Sequence, residues 1–334
     1  MTPEPAVLAT GVGPLPGSDI RAAVSWVVDG LPEFVHLPEL PARGTSAEPA
    51  GRAVALLDGL AADLQPAGWR LTGGSATAGG GGLDQRRARS LLSEDLDALE
   101  EIADGYQGPL KIQVAGPWTL AASVERPRGD RVLADHGARR ELAQSLAQGL
   151  AAHIADVRRR IPGAELVVQV DEPDLPSVLA AAVPTASGFG RHRAVHPPEA
   201  AALLSTVLSA VANAGGQPMV HCSAAPVPVA LLVQAGATAL SLEVARLPAS
   251  TLDALAAAVN AGLELWPGLD LVGDPGQDAR DLLRLLDVVG LEPAQAVGRM
   301  VVTPAGGLAA VSAEQARHAY VRARRIAQQV SEAG

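Results

Sequence analysis

One cysteine in 334 residues, Cys222, rules out any disulfide within the chain and with it the small secreted scaffolds that disulfides hold together. Aromatic residues are also scarce at 2%, so there is no row of stacking platforms for single-stranded nucleic acid. Lysine is scarcer still. Lys111 is the only one, and an imine-forming mechanism could use no other position. The net charge of −10 lacks the basic excess that a phosphate backbone demands. No apolar run approaches the ~20 residues of a membrane span, and Met1-Thr2-Pro3-Glu4 has neither the basic nor the apolar region of a secretion signal. The expectation is a cytoplasmic protein that binds neither nucleic acid nor membrane, with no protein partner inferable.

Hydrophobic residues are plentiful at 48%, enough to fill a large core, and with so few aromatics that core must be built from Ala, Val and Leu. The most informative stretch is Glu165-Leu166-Val167-Val168-Gln169-Val170-Asp171-Glu172-Pro173. An apolar, β-branched run of strand length ends there in two adjacent carboxylates and a proline that stops it. Asp171 and Glu172 then stand at the carboxyl end of a buried strand, where parallel α/β folds place their ligands. The competing assignment for Asp171 is a helix N-cap, since Leu175, Val178 and Leu179 follow it.

Short β-rich runs alternate with longer segments of helical period along the whole chain. Strands are predicted at 7–12, 33–37, 111–115, 166–170, 219–222, 239–243, 263–269 and 300–303, with an accessory strand at 69–72. Helices are predicted at 20–28, 49–64, 91–102, 138–160, 199–214, 250–261, 280–289 and 313–330. Eight strands each followed by a helix fit a single (β/α)8 TIM barrel over residues 1–334. The alternative is a doubly wound sheet, weakened by the absence of a Gly-x-Gly-x-x-Gly turn after the first strand. Gly73 to Gly82 is glycine-rich without a Gly-Lys-Ser/Thr ending, and is expected to be a flexible loop rather than a phosphate cradle.

In a barrel of this kind function gathers at the strands' carboxyl ends. His221 and Cys222 end one predicted strand and Glu243 ends the next, a partial zinc set by residue type. Taken singly, Cys222 reads as a buried thiol and His221 as a hydrogen-bonded rim residue. Gly116-Pro117-Trp118-Thr119 follows the third strand, and Arg126, Arg128 and Arg131 lie beyond it, where they either hold an anionic substrate tail or form a solvated loop.

These segments together resemble the C-terminal catalytic barrel of cobalamin-independent methionine synthase, within the superfamily that includes uroporphyrinogen decarboxylase-like barrels. Asp171-Glu172-Pro173 is similar to that family's strand-end Asp-Glu-Pro, and Thr10-Gly11-Val12-Gly13-Pro14-Leu15-Pro16 to its first-strand Ile-Gly-Ser-Phe-Pro. Gly116-Pro117-Trp118-Thr119 resembles its Gly-Pro-x-Thr turn, and Val302 to Leu308 its last-strand Asn-Pro-Asp-Cys-Gly-Leu. The resemblance implies methyl transfer from a methyltetrahydrofolate-type donor to the thiol of homocysteine. It also implies Asp171 on the substrate's amino group, Gly13 and Trp118 in binding, and zinc on His221, Cys222 and Glu243; by position, Glu172 is expected beside Asp171 at the chemistry and Arg126 in substrate binding.

Several family positions are substituted. In the His-x-Cys pair, either Ser223 replaces the cysteine or Val220 the histidine; Gly306 stands at the final cysteine, Pro14 at the first-strand serine and Gly273 at the proton-donor histidine. Zinc is therefore expected to bind weakly or not at all, with activity well below the family's. Two other readings stay open: a barrel that binds an amino-acid or folate-like ligand without turnover, and a decarboxylase-like enzyme of the same superfamily.

Overall fold

The computed structural model describes residues 6–76, 81–271 and 275–333. Its strands are β1 (Leu8–Ala9), β2 (Val35–His36), β3 (Gly59–Gln65), β4 (Gly68–Ala76), β5 (Gly108–Ala115), β6 (Ala164–Asp171), β7 (Gln217–His221), β8 (Ala239–Glu243), β9 (Glu264–Leu269) and β10 (Val301–Pro304). Eight of them form one curled parallel sheet in the order β1-β10-β9-β8-β7-β6-β5-β2. Each predicted sheet strand is present, and Ala239–Glu243 has its predicted bounds. Helices follow the strands and cover the sheet's outer face.

The two edge strands, β1 and β2, share no ladder. One parallel bridge joins their extensions at Pro14 and Glu39, with Leu15 N–H donating to Glu39 O at 2.8 Å and Glu39 N–H to Gly13 O at 3.0 Å. Both strands have only two residues, and their extensions meet at this one bridge. The result is a barrel-like sheet with a seam.

Period-two alternation divides the side chains between two compartments. Leu8, Phe34, Val167, Met219, Ala239, Trp266 and Val301 pack on one another inside the curl, with Phe34 edge-on to Trp266 at 5.3 Å. The residues between them, such as Leu166, Val168, Val170, Val220, Leu240 and Leu242, belong to the larger core between sheet and helices. Each such Val or Leu, once fully buried, stabilises by about 1.5–3 kcal/mol.

The one misread stretch lies between β2 and β5. The predicted helix 49–64 ends at Leu56, and β3 follows, pairing antiparallel with β4. Ala and Leu carry no period that separates the end of a helix from a strand, so composition alone misled. The accessory strand extends through Ala76, with Gly73 and Gly74 at a bulge and Ser75 and Ala76 paired to Leu60 and Gly59, so the first four residues of the expected Gly73–Gly82 loop are strand; residues 77–80 lie outside the described residues. This hairpin is stapled to the chain beyond β5. Leu71 N–H donates to Glu125 O at 2.8 Å, Glu125 N–H to Trp69 O at 2.9 Å, and Arg70 Nε to the Glu125 carboxylate at 2.8 Å.

Candidate functional site

Above the apolar plug, toward the strands' carboxyl ends, the inward positions turn polar: Lys111 and Gln113 on β5, Gln169 and Asp171 on β6, His221 on β7, Ser241 and Glu243 on β8. Ladder register sets Ala115 beside Asp171, Asp171 beside His221, and His221 beside Ser241. A buried polar group costs about 1–3 kcal/mol if left unpaired, so these side chains must find one another.

They do so around the backbone of Val12. Its carbonyl accepts from Lys111 Nζ at 2.9 Å and from Gln169 Nε2 at 2.9 Å. Gln169 Nε2 also donates to Asp171 Oδ1 at 2.7 Å, while Lys111 Nζ reaches Gln113 Oε1 at 3.1 Å and Gln113 Nε2 reaches Leu37 O at 2.7 Å. Gly13 sits over this layer with φ +145°, and a Cβ there would meet Gln113 Cδ at 2.9 Å. Only glycine fits both the backbone and the contact. Gly13, expected to bind substrate, thus closes against the polar layer and brings the first strand's end beside Asp171.

Asp171 is partly exposed at the rim, and Lys111 is wholly buried. Burial, and next the Glu39 carboxylate, hold Asp171 well above the ordinary aspartate range, with Lys111 opposing. Burial lowers Lys111 to about 8, with Asp171 and then Glu39 opposing. Glu39 is raised by its own burial, with Arg52, then Lys111 and a hydrogen bond from Gln113 opposing; Arg52 Nε lies 3.0 Å from Glu39 Oε1. Two carboxylates and one amine therefore share this interior. Sequence reading missed Glu39, Gln113 and Gln169; for the two glutamines, polar residues spaced by two inside a strand run were the available signal.

His221 also faces inward. Its Nδ1 pairs with Ser241 Oγ at 2.9 Å, and burial, then Lys111, lower it to about 4. Cys222 is the next residue, and its N–H bonds to Ser241 O, so the ladder continues and the thiol turns to the opposite face. There it packs in the outer core with Sγ 3.6 Å from Ala224 O, and burial pushes it up to about 12. The expected grouping of His221, Cys222 and Glu243 around one metal is corrected by this alternation: the sheet stands between the thiol and the imidazole. Among the described residues no set of three or more His, Cys, Asp or Glu side chains could hold a metal ion. The residues present do not fit the family's zinc.

Glu172 likewise turns outward. Its carboxylate accepts from Trp118 N–H at 2.9 Å, Thr119 N–H at 2.8 Å and Thr119 Oγ1 at 2.8 Å, closing the N-terminus of helix Pro117–Ser123. Burial still raises it to about 7 against these donors. Expected beside the chemistry, it is instead a strut between β6 and that helix. Trp118, expected to touch substrate, is buried with Nε1 on Ala200 O at 3.0 Å. Arg126 faces Asp135 at 3.6 Å, and no contact brings it to Asp171. Gly306 lies in the turn after β10, where an added Cβ would meet nothing. Gly273 falls outside the described residues.

The fold has known counterparts. A B12-independent methionine synthase from Shewanella sp. W3-18-1, in complex with selenomethionine, matches over 98% of both chains with a TM-score of 0.63 at 13% identity. GH5_18 from Streptomyces cattleya, in complex with GlcNAc, matches over 98% of this chain and 81% of its own with a TM-score of 0.51 at 14% identity. These likenesses show the fold. No family model and no curated protein matches the sequence. No helix among the described residues is long and apolar enough to cross a membrane.

Proposed function

We propose that the chain is a cytoplasmic (β/α)8-type enzyme of the methionine synthase-like superfamily, acting on homocysteine or a similar amino-acid thiol. The methyl group would come from a methyltetrahydrofolate-type donor. The observation that carries this reading is the placement of Asp171. The residue is partly exposed at the rim and its carboxylate is held by Gln169, at the strand end that resembles the family's amino-group site.

An ammonium entering the rim would meet Asp171 with Glu39 behind it, a charge-assisted pairing that brings its proton donors to carboxylate acceptors. The polar layer below is already hydrogen-bonded, so the site is held in place before ligand arrives. The thiol must be activated without the family's zinc, because Cys222 faces away from His221. With a pKa near 4, His221 is a poor base for a thiol whose ordinary value is about 8.5. That same observation favours a second reading, ligand binding with little or no turnover.

Calorimetric titration with L-homocysteine tests the first reading. Asp171→Asn keeps the size and one acceptor oxygen but removes the charge, and is expected to weaken binding at least tenfold, about 1.4 kcal/mol. Equal affinity in the variant, or no binding by the wild type, would refute the assignment. Methyl transfer measured on the same preparation separates the two readings.

A further inference from the structure

Lys111 is the chain's only lysine, and it is spent in the interior of the sheet. Lysine is almost never fully buried without a charged partner, yet here both hydrogen-bond partners are neutral, the Val12 carbonyl and Gln113 Oε1. A neutral side chain could meet both acceptors. What the amine adds is charge, placed beneath the rim where Asp171 and Glu39 converge.

We propose that Lys111 is the positioning residue of the rim, the one that lets Asp171 carry a negative charge while tying the end of the first strand to it. The titratable groups that interact with it electrostatically are Asp171 from β6, Glu39 and His36 from the β2 segment and His221 from β7; among the described residues the first strand offers it the Val12 carbonyl. His36 and His221 stay neutral near pH 7, at about 3 and about 4. Glu39 has Arg52 beside it, whereas the side-chain hydrogen bond to Asp171 among the described residues comes from the neutral Gln169. Burial and Glu39 both press Asp171 toward its protonated form, and Lys111 alone among these neighbours opposes them as a cation. Val12 O couples the two, since it accepts from Lys111 Nζ and from the same Gln169 nitrogen that holds Asp171.

This deepens the proposed amino-acid site and rests on it only where ligand is concerned. Coupling between two titrating groups is reciprocal, so it can be read from either side. Growth on 15N-lysine labels a single residue, and the Lys111 Nζ titration is followed by NMR without ligand. In Asp171→Asn that titration is expected to fall by about one pH unit or more, because a stabilising anion is gone. In Lys111→Met, L-homocysteine binding is expected to weaken at least tenfold near pH 7, while Lys111→Arg, which keeps the charge, retains more of it. A Lys111 titration unmoved in Asp171→Asn would overturn the proposal, and that arm alone decides if Lys111→Met does not fold. A wild type that ignores homocysteine removes the proposed ligand and leaves this titration result standing.

Discussion

Arg52 joins Glu39 at the rim to the helical layer outside, and replacing it by methionine probes how the site is anchored. The guanidinium lies 3.0 Å from Glu39 and also bonds Asp95, which Arg43 reaches at 2.5 Å. Arg52, Glu39 and Asp95 are exposed by only 4%, 1% and 0%, so water cannot replace what is lost. Breaking a buried pair from one side typically costs about 3–5 kcal/mol, because the remaining carboxylate stays behind uncompensated. Asp95 keeps Arg43, which places the expectation near the lower end, about 3 kcal/mol. Methionine is as good a helix former as arginine, so helix Pro49–Leu56 should not suffer on propensity grounds. Urea unfolding of Arg52→Met followed by far-UV circular dichroism gives the cost. Adding Glu39→Gln should recover at least about 1 kcal/mol, since the orphaned charge is then gone. A cost below about 1 kcal/mol, or a double variant no better than the single one, would show that this network does not hold Glu39 in place.

Gly116→Ala should destabilise by about 2–3 kcal/mol in the same assay, because the new Cβ would lie 2.4 Å from Glu172 Oε1 and push it off its helix; wild-type stability would remove the strut role of Glu172. Incubation with equimolar zinc followed by desalting should leave far less than one metal per chain, and Cys222 should resist Ellman's reagent until the protein unfolds; stoichiometric retention of zinc would overturn the geometry given for Cys222. His221 titrates at about 4 when folded against an ordinary value of 6.5, so its contribution to stability is present above about pH 6.5 and lost as pH falls toward 4. Relative to wild type, His221→Asn should therefore gain about 2 kcal/mol between pH 7 and pH 5, and a difference independent of pH would contradict the buried neutral imidazole.

Much of the sheet was legible because β-branched runs such as Leu166 to Val170 can bury both faces, and a proline after two carboxylates marks where such a run ends. The side from which each residue acts was harder to see. Asp171 and Glu172 read as a pair, and so did His221 and Cys222, yet alternation sends each pair to opposite faces; period two was in the sequence, and adjacency obscured it. Glu39 and Arg52 gave no local signal, since their meeting depends on how helix Pro49–Leu56 returns over β2. The resemblance placed Asp171 at the rim by motif and missed Lys111 as part of the site, because a lone lysine in a strand suggests nothing until its neighbours are known.

The stapling of the β3–β4 hairpin to Glu125 bears on motion at the rim. Trp69, Arg70 and Leu71 are tied to Glu125 by two backbone hydrogen bonds and an ion pair, so the excursion after β2 and the loop after β5 behave mechanically as one plate. Opening either one alone would expose the edge of the other. The Leu71 and Glu125 amides should accordingly exchange with solvent at a common rate, and a rim that widens for ligand must swing both segments together or neither.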